Sequence, residues 1–172
     1  MSSTDQHSVK DYRERPSELD LVYNPSLGAY LVWSAGRGYF EECSKGMPLP
    51  LAFLILPIVL HWQSKEIATA TLKSSGLTLF ANKLGAQQED LLALHQRALS
   101  LRDLSLASIS LACATKMAVI ESKSASILSL SVEKLPKPPD GIRKLGAVSE
   151  KIGVWFARIS PEQVASTLRI EF

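Results

Sequence analysis

The stretch from Leu49 to Leu60, LPLAFLILPIVL, contains no polar side chain. A segment that is apolar on every side must be enclosed by the rest of the chain or by lipid. It is about 12 residues long, whereas a membrane-spanning helix needs roughly 20, and Pro50 and Pro57 interrupt it. A central buried helix is therefore expected, opened by Met47-Pro48-Leu49-Pro50. Pro57 lacks the N–H that would bond the Phe53 carbonyl, so the helix should kink or end early there. His61 would close it, its ring within reach of the end carbonyls. A chain of 172 residues suffices to wrap one such core and bury about 70% of its unfolded surface.

The flanking segments read as helices around that core. Asn24 is a good N-cap and Pro25 a good first helical residue, and Leu27, Tyr30, Leu31, Ala35 and Tyr39 then recur at spacings of three and four. Gly28, Gly36 and Gly38 are poor helix formers on that segment, so their expected use is to let a neighbouring helix come close. Gly46 should end the helix. Short helices are expected from Ser64, acting as a cap, to about Lys73, and from Gly76 to Leu84. Residues 87–114 should form two helices joined near 100–103, with Ser100 and Asp103 available as caps. Met117–Ile120 and Ser126–Leu130 read as a β-hairpin across a polar turn. Helix, turn, helix, hairpin is the order of a winged helix. After the Pro-rich segment 135–141, the apolar residues Ile142, Leu145, Val148, Ile152, Trp155 and Ile159 mark an amphipathic helix, and Ser160-Pro161 starts a last one ending near Leu168. The fold class is mainly α with a small β-hairpin. Residues 1–20 have no apolar periodicity and are expected to be a flexible arm, followed by one winged-helix-like domain over 21–172.

Charge is unevenly placed. Residues 1–94 hold 8 Lys or Arg against 10 Asp or Glu, whereas residues 95–158 hold 10 against 5. The basic excess falls beside the hairpin and the Pro-rich loop, on Lys116, Lys123, Lys134, Lys137, Arg143 and Lys144, which become candidate contacts for nucleic acid or an acidic protein surface. Such contacts with DNA would be non-specific. The candidate recognition helix, Asp103 to Thr115, offers almost no side chain that reads base edges, which weighs against a stand-alone winged-helix DNA-binding regulator, the main alternative reading.

Catalytic and cofactor motifs do not emerge. Cys43 and Cys113 lie 70 residues apart, which is neither a disulfide framework nor a zinc spacing. His7, His61 and His95 are scattered, no Gly-x-Ser-x-Gly is present, and the glycines around Arg37 sit inside a helix rather than after a strand. The expectation is a cytoplasmic protein that is not an enzyme, holds no cofactor or metal, does not enter a membrane, and works by binding macromolecules.

Asn24-Pro25-x-x-Gly28, Gly38-Tyr39, Gly46-Met47-Pro48-Leu49, Phe53 to Pro57 with Leu60-His61, and Gly153-x-Trp155-Phe156-Ala157 occur in that order. This pattern resembles the middle-component family of bacterial three-component ABC systems, of which the Lamassu anti-phage system is a similar arrangement. Asn24, Pro25, Gly28, Gly38, Tyr39, Pro48, Pro57, His61 and Gly153 are the structural motif. The resemblance implies an adaptor that holds an SMC- or Rad50-like ATPase subunit and an effector, a nuclease, together in anti-phage defence. Trp155 and Phe156 point about 100° apart on their helix and are both core if that face is wide; otherwise one of them, or Phe172, is a candidate partner contact, since aromatic side chains anchor interfaces well.

Overall fold

The computed structural model describes residues 23–86, 88–132 and 136–171, with residues 88–90 as backbone only. The expected arm over 1–20, Lys134 and Phe172 lie outside these residues. Within them the chain is mainly helical with a small antiparallel sheet: α1 (Pro25–Cys43), β1 (Met47–Pro48), α2 (Leu49–Val59), α3 (Trp62–Ala70), a 3₁₀ turn (Lys73–Ser75), α4 (Gly76–Gly85), α5 (Gln88–Ser100), α6 (Arg102–Ala114), β2 (Ala118–Glu121), β3 (Ser126–Ser129), α7 (Asp140–Ala157) and α8 (Pro161–Leu168).

The apolar run forms α2, with Leu51, Leu54, Ile55, Leu56, Ile58 and Val59 each at most 1% exposed. Each such side chain contributes about 1.5–3 kcal/mol of burial before entropy is counted. Pro57 lies inside the helix, which stops two residues later; α3 then leaves at 99° to α2. No single helix among the described residues is long and apolar enough to cross a membrane, and α2 and α3 reach such a length only as this sharply bent pair.

The second organising element is α1, buried along most of its length and packed chiefly on α7 and α6. Asn24 Oδ1 accepts from the Ser26 N–H at 2.8 Å and Pro25 takes the first helical position. The contact with α7 is close because each helix puts a glycine against the other's backbone. A Cβ on Gly38 would collide with the Glu150 carbonyl, and one on Gly153 with the Ala35 carbonyl. Gly146 of α7 lies under the Tyr30 ring, and Gly28 faces the Ser108 hydroxyl of α6.

Several local expectations are corrected. The left-handed residue that ends α1 is Ser44, with φ 55°, not Gly46; Gly46 instead passes close to Ser126. α2 opens at Leu49-Pro50 with Pro48 at its N-cap position, as expected, but Met47-Pro48 has a second role. It pairs with Ile127 and Ser126, which turns the expected hairpin into a three-stranded sheet ordered β1-β3-β2. Leu101, not Ser100 or Asp103, precedes α6, with no side-chain cap. Ser64 is not a cap but a fully buried residue of α3. His61 also begins the next helix: its Nδ1 accepts from the Ser64 N–H and caps α3. An imidazole nitrogen that accepts suits the N–H groups exposed at a helix start.

The sheet is fastened to α1 by Trp33, whose Nε1 donates to the Leu130 carbonyl at 2.8 Å, while Ser129 Oγ donates to the Trp33 carbonyl at 2.9 Å. A capping box at Ser160 and Gln163 starts α8.

Candidate interaction surface

The Pro-rich segment and the start of α7 lie across from the ends of α1 and α2, leaving a groove of about 810 Å³. Its walls are apolar: Leu27 and Tyr30 from α1, Leu60 after α2, Met117 before β2, Pro136, Pro138 and Pro139, and Ile142 and Leu145 of α7. Trp62, the first residue of α3, stands at this groove and is 68% exposed. Its ring lies 6.4 Å from that of His61. A second hollow of about 590 Å³ between α3 and α7 shares Lys65, Gly141 and Leu145 with the groove and adds Lys73, Lys144, Lys151, Glu66 and Glu150.

These lysines are not equivalent. Lys151 Nζ donates to the Thr69 and Thr71 carbonyls at 3.2 and 2.8 Å and lies 5.6 Å from the Trp155 ring centre. Burial pushes its pKa below the usual lysine value. It ties α7 to α3 and is not available to bind in the hollow. Lys65 lies 3.8 Å from Glu66. Lys73 and Lys144 are exposed.

The basic residues singled out in the sequence divide between two places. Lys137, Arg143 and Lys144 are exposed along the Pro-rich segment and α7, beside the groove. Arg143 is held by Asp140 at 2.7 Å. Lys116 and Lys123 are exposed at the base and the turn of the hairpin, and Lys116 has a left-handed φ of 59°.

Trp155 and Phe156 are both 0% exposed. Trp155 packs on Phe80, ring centres 5.6 Å apart, and its Nε1 donates to the Lys73 carbonyl at 3.0 Å. Both rings are core residues in this chain: the α7 face toward the core is wide enough to take both. Of the motif residues, Gly28, Gly38 and Gly153 are helix–helix contacts. Asn24 and His61 are helix caps, Pro25 and Pro57 lie in helices, and Pro48 lies in β1. Tyr39 is buried, which with the neighbouring Cys43 raises its pKa. This set builds the scaffold.

Trp62 was the residue that sequence reasoning missed. Its exposure follows from the packing of α3, which buries Ser64 and Ala68; a tryptophan two places before Ser64 is out of phase with that face.

Among the described residues no group of three or more His, Cys, Asp or Glu is placed to hold a metal ion. His61 Nδ1, Ser64 Oγ and Arg97 form one polar cluster, with both contacts to Ser64 Oγ at 3.1 Å. Ser64 is 0% exposed, so the cluster ties the start of α3 to α5 rather than facing a substrate.

No curated protein and no solved structure matches the chain. Residues 12–172 match the family described as ABC-three component (ABC-3C) system Middle Component 3. With almost the whole sequence matched, from before α1 to the last residue, the chain belongs to this family of middle components of ABC-three component systems.

Proposed function

We propose that this chain is a non-catalytic adaptor that joins an SMC- or Rad50-like ATPase subunit to a nuclease effector in an anti-phage defence complex. The observation that carries this reading is membership, over residues 12–172, of a family defined as one component among three. The scaffold agrees with it. The motif residues are used for packing and capping, and the large apolar groove with its exposed tryptophan is a surface for a macromolecule.

The test is to co-express the chain with the ATPase and effector encoded beside it. The adaptor should co-purify with both and show no turnover alone. Deleting its gene should abolish protection from phage while the ATPase still folds and hydrolyses ATP. A purified chain that by itself cleaves nucleic acid or hydrolyses nucleotide would overturn the reading.

A further inference from the structure

Trp62 is the most exposed tryptophan that the structure describes, and it stands beside an apolar groove rather than alone on a polar face. Burying an aromatic ring at the centre of a contact is among the largest single contributions to protein association. The groove walls are aliphatic and prolyl, which suits alkyl side chains. Lys65 lines the groove and Lys137 is exposed between two of its prolines, while the adjoining hollow carries Lys73 and Lys144 with Glu66 and Glu150. Glu66 is already paired with Lys65, and Arg143 with Asp140. Among the described residues Lys73, Lys137 and Lys144 then outnumber Glu150, leaving a net positive charge along the groove and hollow.

We propose that this groove seats an amphipathic segment of one partner subunit, its apolar side chains against Trp62, Leu60 and Ile142 and its Asp or Glu side chains toward Lys73 and Lys144. The proposal rests on the adaptor reading and gives it a surface. A nucleic acid fits the same place less well. Its phosphates would meet mainly the lysines, while the walls below are mostly aliphatic and prolyl and offer few hydrogen-bond donors to a charged backbone. Steering by the rim should quicken association and make it salt-dependent, and the apolar floor should supply most of the affinity.

The experiment uses the full chain with the purified ATPase and effector subunits of its own system. Trp62→Ala, and separately Lys73→Glu with Lys144→Glu, should weaken binding to one of the two subunits by about tenfold or more, leave binding to the other unchanged, and leave the thermal melt unchanged. p-Benzoylphenylalanine incorporated in place of Trp62 should crosslink to a segment of that same subunit containing both apolar and acidic residues. Unchanged affinity for both subunits would overturn the groove while leaving the adaptor reading standing. So would a crosslink to residues 1–22 of the same chain, to a second copy, or to DNA. If the wild-type chain binds neither subunit, the adaptor reading fails and this proposal with it.

Discussion

Gly153 of α7 lies directly against the backbone carbonyl of Ala35 in α1, within the most extensive helix–helix contact of the described residues. One turn further along the pair, Gly38 of α1 meets the Glu150 carbonyl of α7 in the same way. A backbone carbonyl inside a helix cannot turn aside. Gly153→Ala and Gly38→Ala should therefore each push the helices apart and cost roughly 1–3 kcal/mol, despite the gain in helix propensity. Urea denaturation of each variant measures this, and wild-type midpoints would show that the pair can give.

Gly28 is a different case, because the atoms a Cβ would meet are the Ser108 side chain. Gly28→Val should overpack the contact by about 1–3 kcal/mol. Gly28→Ala should cost less in a Ser108→Gly background than alone. A double-mutant cycle reads the coupling, and strictly additive effects would contradict direct contact.

Gly141, in the first turn of α7, has nothing within 4 Å of where a Cβ would stand. Gly141→Ala should raise stability by about 0.5–1 kcal/mol, since only the unfolded chain loses freedom. A rise in Tm with unchanged secondary structure is the expected result.

Trp155→Phe keeps a ring against Phe80 but removes the donor to the Lys73 carbonyl, which still accepts from Arg158 at 2.8 Å. The cost should be about 1 kcal/mol, against roughly 3–5 kcal/mol for Trp155→Ala. Affinity for the partner subunits should not change in the phenylalanine variant. A loss of binding at unaltered stability would return Trp155 to the interface.

Burial pushes the Cys113 thiol above its ordinary value of 9.0. The folded thiol then keeps its proton at a pH where the unfolded one has lost it. The folded state binds more protons, so this contribution to stability is intact below 9.0 and is lost as pH rises above it through the higher folded value. Cys113→Ala should flatten the decline measured by denaturation from neutral pH to well above 9.0, relative to wild type.

Much of the fold was legible because its signals are local. Asn24-Pro25 and Ser160-Pro161 begin helices by chemistry within one turn, and the uniformly apolar segment after Pro48 could only become the enclosed helix α2. The break between α5 and α6 followed from a slip in apolar phase. The presence of a hairpin followed from two β-prone runs with a polar turn between them.

What the sequence could not decide lies between segments distant along the chain. Met47-Pro48 is too short to read as a strand and becomes one only because Ile127 and Ser126 arrive beside it. Glycines in α1 signalled a close neighbour, but α7 and α6 were chosen as that neighbour by the packing of the whole core. Trp155 and Trp62 carry the same side chain and have opposite fates, 0% and 68% exposed. Local sequence sets which face of a helix each occupies; which face the rest of the molecule covers is fixed only when α3 turns away from α2 and α7 closes over α1, because burial is a property of the assembled surfaces and not of the residue.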